Sequence, residues 1–295
     1  MRIPPDQLIG PEFRDFSTQR VVDDGVLDVY LHRPAGSVVV NGGVYGTQTI
    51  QTLGMGKPFY RFLVKAIERL DAELKLDFRV VNKPDRADVR FYLDTEIKLG
   101  QGDEVTLGLA LSNPTSQGGF WELILNTPAF NGQIDYLYYA ALHELGHTLG
   151  LEHPFDNSDG DVFVSENDQL SAYPEDTLMA YRLPQGDQWP TWFSRNDIKA
   201  LKAIWGKAKG GLRSGDFGND PLIAGGKQRQ GDLGLDQLPT AAVIAPLGSV
   251  DSLSILGPST SLGSTSINSM DCGLLGVTGM DLDQRLQMLN TGDLG

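Results

Sequence analysis

His143-Glu144-Leu145-Gly146-His147-Thr148-Leu149-Gly150-Leu151-Glu152-His153 carries three of the four histidines in the chain. Residues four apart share one face of an α-helix, so His143 and His147 can reach the same metal ion. Glu144 projects about 100° around the helix from His143, where its carboxylate can reach a water held by that ion. Gly150 reads as the helix stop, because glycine adopts the left-handed backbone that follows many helix ends. The chain can then turn back and supply His153 as a third nitrogen ligand. Three protein ligands and one open position describe a catalytic zinc, whereas a structural zinc is closed by four. The alternative is histidines that only decorate a helix. A bare pair four apart would leave that alternative standing, but the added Gly150 and His153 in register make chance a poor account.

The pattern HExxHxxGxxH in His143–His153 resembles the zinc-binding motif of the metzincin metallopeptidases. A second stretch, Asp176-Thr177-Leu178-Met179-Ala180-Tyr181, resembles the family's Met-turn, with Met179 placed 26 residues beyond His153. Tyr181 stands two residues after Met179, as in serralysins and astacins, where the tyrosine reaches the zinc or the substrate. Leu151-Glu152-His153-Pro154 is similar to serralysins and differs from astacins, and matrixins lack the tyrosine. The nearest resemblance is therefore to the serralysin catalytic domain. Ala180 departs from it, since serralysins usually carry serine there.

The resemblance implies a zinc endopeptidase. His143, His147 and His153 would hold Zn²⁺, Glu144 would be the general base, and Tyr181 would hydrogen-bond the oxyanion. Met179 would pack beneath the site without binding metal. The fold implied is α+β: a metzincin-like zincin domain with a twisted, mostly parallel sheet, an antiparallel edge strand, a central zinc helix and the Met-turn. Two other readings are an inactive zinc-binding module on the same scaffold and a matrixin-type peptidase. Glu144, needed only for catalysis, speaks against the first, and Tyr181 against the second.

Composition narrows the partners. The net charge of −14 argues against nucleic acid, because nucleic-acid binders present basic faces. No stretch approaches the roughly 20 apolar residues that cross a bilayer. The partner expected is a protein or peptide substrate, and a monomer is the expected state. The single cysteine, Cys272, excludes an internal disulfide, and also a cysteine switch supplied from an N-terminal pro-segment. The first residues show no secretory leader. Secretion without such a leader is the expectation that the resemblance brings.

The chain divides into residues 1–36, an N-terminal arm or short pro-segment; 37–206, the catalytic domain; and 207–295, a tail. In the first part, residues 26–31 alternate like a strand. His32 reads as a packing or surface histidine. Residues 38–40 read as a strand that Gly42, Gly43 and Gly46 break. Residues 57–74 predict a helix, since Phe59, Phe62, Leu63, Ala66, Ile67, Leu70 and Leu74 recur at helical spacing. Strands are predicted at 77–81, 87–93, 107–112 and 120–126. The order resembles the N-terminal half of metzincins. In that family the strand matching 107–112 is an exposed edge above the cleft, where an extended peptide can add as a strand. Small Gly108 and Ala110 would let its backbone come close.

The zinc helix is predicted over 133–150 and is apolar on nearly all sides, which marks it as buried. Beyond it, Asp156, Asp159 and Asp161 surround Gly160 as calcium ligands could; the other reading is a solvated acidic loop. A last helix is predicted at 197–205 with Ser194 as N-cap. The tail of 89 residues holds 16 glycines and a single aromatic, Phe217, so it reads as low-complexity and largely disordered. The glycine- and aspartate-rich repeats of serralysins are not found, residues 210–218 coming nearest. Residues 280–289 have a helix-like pattern.

Overall fold

The computed structural model of the protein describes residues 1–97, 105–208 and the backbone of 273–276, all within one compact unit. The predictions for 210–218 and 280–289, and Phe217, lie outside the described residues. The architecture is α+β, built on an eight-stranded mixed sheet. No described helix is long and apolar enough to cross a membrane.

The strands are β1 (Val26–Leu31), β2 (Gly36–Val40), β3 (Gln48–Thr52), β4 (Asp77–Val81), β5 (Val89–Asp94), β6 (Thr106–Thr115), β7 (Gly118–Asn126) and β8 (Gly273–Gly276). β5 lies centrally and runs parallel to β1 and β7, and β1 runs parallel to β4. The β2–β3 hairpin joins β5 through Thr52 and Asp94. β6 pairs antiparallel with β7 on one side and with β8 on the other. The sheet is thus mixed, with more antiparallel pairing than the sequence implied.

Two differences from the sequence reading have physical causes. The sequence does not predict β3, because Ile50 is the single apolar residue of Gln48–Thr52 and the other buried position is Thr52, so apolar alternation is missing. β6 and β7 extend beyond their predicted ends and meet at a tight turn, with Pro114 paired to Gly119 at the last rungs. Proline is tolerated there because a strand end spares its missing N–H. Residues 1–36 pack on the rest of the unit. Ile3, Leu8 and Phe16 are buried, and β1 sits inside the sheet.

Four α-helices lie among the described residues: α1 (Pro11–Phe16), α2 (Lys57–Glu73), α3 (Ile134–Thr148) and α4 (Arg195–Trp205). α2 buries Phe59, Leu63, Ala66, Ile67 and Leu70, as its periodicity predicts. It is locked to α3 by Phe62 stacked on Tyr138, with ring centroids 4.0 Å apart and planes 7° from parallel. α3 lies against β6 and β7, over a core that includes Leu107, Ala110, Trp121, Leu123 and Leu125. The opposite sheet face is also covered, by Val40, Ile50, Tyr92, Leu109, Leu111 and Ile124. Truncating one of these fully buried leucines to alanine costs about 2–5 kcal/mol. α4 begins with a capping box, Ser194 accepting from the N–H groups of Asn196 and Asp197.

Candidate metal centre

His143, Glu144 and His147 sit on α3 and are fully buried. The helix ends as its sequence predicts. Gly150 takes φ 99°, its N–H donates to His147 O, and the Leu151 N–H returns to Gly146 O. A Cβ at Gly150 would also press on Ile204 and on the backbone of Arg14, so only glycine fits this turn. The turn brings His153 beside the helix. Its Nε2 lies 3.2 Å from His143 Nε2, and the Nε2 atoms of His143 and His147 are 3.1 Å apart.

The tautomers follow from the outer nitrogens. His143 Nδ1 donates to Leu178 O at 2.6 Å, and His147 Nδ1 donates to Leu151 O at 2.8 Å. A carbonyl only accepts, so each Nδ1 carries its proton and each Nε2 presents a lone pair. Burial holds all three imidazoles below their ordinary pKa, His147 at about 4, with the neighbouring histidines acting in the same direction on His143 and His153. At neutral pH they are uncharged bases.

Converging lone pairs repel unless a cation lies between them. A tetrahedral zinc with Zn–N near 2.0–2.1 Å sets its nitrogens about 3.3 Å apart, close to the separations seen. The residues therefore fit a zinc ion. Glu144 supports the fit. Both its oxygens are buried, and no donor among the described residues reaches them. Burial holds its carboxyl well above the usual range. It lies against β6 so closely that a Cβ on Gly108 would fall 2.4 Å from Oε1.

The remaining predicted residues divide between the site and its surroundings. Tyr181 comes to the site, its ring 4.6 Å from His153 and 5.7 Å from His143. Met179 is fully buried, its sulfur against Gly146. His32 lies elsewhere, hydrogen-bonded to the Tyr30 hydroxyl. The edge of β6 is not exposed as expected, because β8 pairs with it. Within the 207–295 tail, Gly273–Gly276 is a strand. The acidic loop is arranged differently from its prediction. Glu152, Asp159 and Asp161 bring their oxygens together, and Asp156 instead accepts from the Ser158 N–H. Burial, with Asp159, Asp156 and Asp161 nearby, pushes the Glu152 carboxyl up to about 9.

Sequence reasoning missed the supports of the site. Asp197 is fully buried on α4 and accepts from Thr177 Oγ1 at 2.6 Å and from the Leu178 N–H at 3.0 Å. It fixes the turn whose Leu178 carbonyl orients His143. Tyr139 donates to Ala180 O in the same turn. Phe13, on α1, packs its ring edge against His147. A cavity lined by Val40, Tyr45, Ile50, Asp94, Leu109 and Leu111 lies on the sheet face away from α3 and has no part in this centre.

No protein-family model matches the chain, and no curated protein matches it. The centre stands on its geometry.

Proposed function

We propose that the protein is a zinc-dependent endopeptidase of metzincin type, nearest the serralysin catalytic domain. The observation that carries this reading is the meeting of three imidazole Nε2 atoms beside a buried carboxylate that no donor among the described residues reaches. His143, His147 and His153 would hold the ion. When bound, zinc supplies a Lewis acid that lowers the pKa of a water and polarises a carbonyl.

The other roles belong to the chain. Leu178 O and Leu151 O keep the two helical imidazoles in the ligating tautomer. Glu144 takes the proton of the attacking water on a carboxylate oxygen and delivers it to the leaving amine. Tyr181, flanking His153, hydrogen-bonds the oxyanion as it develops. The β6 backbone around Gly108 and Ala110, paired with β8 in this structure, is the position where an extended peptide would add as a strand once that edge is free. Secretion and a monomeric state belong to the same proposal.

The test is hydrolysis of casein or a fluorogenic peptide, with metal content measured alongside. A chelator should abolish turnover and zinc should restore it. Glu144→Gln should keep one zinc and lose roughly 10³-fold or more in kcat, the combined weight of base and acid catalysis. Chelator-resistant turnover, or a Glu144→Gln protein as active as the parent, would sink the reading.

A further inference from the structure

Immediately before His153, the chain builds a second donor cluster from oxygen. Carboxylate oxygens of Glu152, Asp159 and Asp161 lie within 4.8 Å of one another. Asp159 is exposed, Asp161 is half-buried, and Glu152 is only 3% exposed. Exposed aspartates alone would need no explanation, because water solvates them. Glu152 is different. Its Oε1 is buried, and no donor among the described residues reaches it. No lysine, arginine or histidine pairs with any of the three among the described residues. A buried carboxylate facing two more carboxylates calls for a cation.

The backbone supports convergence. Gly160, between the two aspartates, takes φ 91° and lets the loop double back. Asp159 Oδ1 accepts from the Asp161 N–H at 3.2 Å. The N-terminal segment closes the other side: the Glu152 N–H donates to Leu8 O, and Gln7 Nε2 donates to Val162 O.

We propose that Glu152, Asp159 and Asp161 form a binding site for a divalent oxygen-seeking cation, calcium by chemistry. Hard carboxylate donors on a loop suit calcium's flexible coordination better than magnesium's rigid octahedron. The bound ion ties Glu152, the neighbour of His153, to the 159–161 loop, so it acts as a clasp beside the metal centre without sharing its ligands.

The experiment is calorimetric titration of calcium chloride into the zinc-replete full chain. One saturable equivalent is expected, with a melting temperature that rises by several degrees. Asp159→Asn and Glu152→Gln should each weaken uptake at least tenfold, and Asp156→Asn should leave it unchanged. Asp159 is exposed, so its variant keeps the fold even if Glu152→Gln does not. Absence of saturable uptake at millimolar calcium would overturn the proposal. So would equal losses in the Asp156 and Asp159 variants, the mark of diffuse attraction to an acidic surface.

A second inference rests on the proposed peptidase reading and on a different observation. β8 lies antiparallel along the outer edge of β6, pairing Gly273 with Ala110, Leu274 with Leu109 and Leu275 with Gly108. We infer that this C-terminal segment occupies, in cis, the strand position that a peptide substrate would take, and so restrains the full chain.

Leu275→Pro tests it in the full-length protein, because proline removes a ladder N–H and is excluded from paired strands. Two readouts are taken. Amide hydrogen exchange over residues 106–111 should accelerate, whatever the protein catalyses. The kcat/KM for an extended peptide should rise several-fold at unchanged zinc content. Unchanged exchange overturns the inference. Faster exchange with unchanged turnover of an active parent also overturns it. Faster exchange with no turnover in either protein upholds the docking and removes the peptidase reading instead.

Discussion

Glu152 and His153 are joined by one peptide bond, yet they belong to donor clusters built in opposite ways. The nitrogen cluster stands mostly on a buried helix. Two of its three rings are oriented by backbone carbonyls, and the turn that supplies one carbonyl is pinned by a buried aspartate. The oxygen cluster stands mostly on a loop, with one buried member and two nearer to solvent. Borderline metals such as zinc are held by imidazoles whose positions are set before binding, and hard cations by carboxylates that adjust. The contrast implies that damage to the first cluster is severe and local, whereas damage to the second is graded and reaches the site through His153.

The largest effect is expected at the centre of the first cluster. His147→Ala removes a ligand and leaves two lone pairs without a third partner. Zinc content by elemental analysis should fall from one equivalent to a small fraction, and turnover should fall to background. A variant that keeps stoichiometric zinc would show that His147 is not a ligand.

Gly108→Ala should come next. The added methyl would stand 2.4 Å from Glu144 Oε1, so the carboxylate must move and zinc need not. Base catalysis is worth roughly 10²–10⁴-fold, and a loss of about 10²-fold in kcat at full zinc occupancy is expected. If kcat is unchanged, Glu144 does not act from its observed position.

Asp197→Asn probes the support one residue removed from His143. An amide nitrogen would replace an oxygen that accepts from the Leu178 and Ser194 N–H groups. Loss of such a supporting contact typically costs 10–100-fold in metal affinity. Competition with a chromogenic chelator should show about a tenfold loss. An unaltered affinity would mean that Leu178 is held by packing alone.

These supports explain what the sequence could reveal. The three histidines, Glu144 and Gly150 announce themselves through spacing, because helix geometry alone decides which of them meet. α2 is readable as an apolar stripe at helical spacing, and α3 as a run apolar on nearly all sides. Asp197 was visible only as a helix-cap partner, since its second role depends on a turn 20 residues away in sequence. Glu152 is not legible as an oxygen ligand from its own stretch, 143–153, whose spacing speaks only for the histidines and Glu144. Its burial comes from Leu8 and Gly10, far upstream. β3 and β8 carry almost no alternation of their own, and pairing with a neighbour is what makes them strands. Local periodicity was legible, and partners supplied from a distance were not.

The smallest effect concerns a half-buried carboxylate outside both clusters, and it sharpens what is special about Glu152. Asp88 accepts from the Asp28 N–H at 2.8 Å, and burial, aided by the charge of Asp28, pushes its carboxyl up to about 7. The folded state then holds a proton that the unfolded chain releases near 3.8. The resulting stabilisation is full below that value and is lost as pH rises toward 7. More than a third of the group remains solvated, so the loss is about 1 kcal/mol after screening. Asp88→Asn should raise stability by that amount at pH 8 and change little at pH 4, as read from urea denaturation. Calcium should leave this difference untouched, because Asp88 belongs to no cluster of donors among the described residues. A calcium-dependent difference would mean that the oxygen cluster is not the only place where a cation compensates buried carboxylates, and the contrast drawn above would lose its second half.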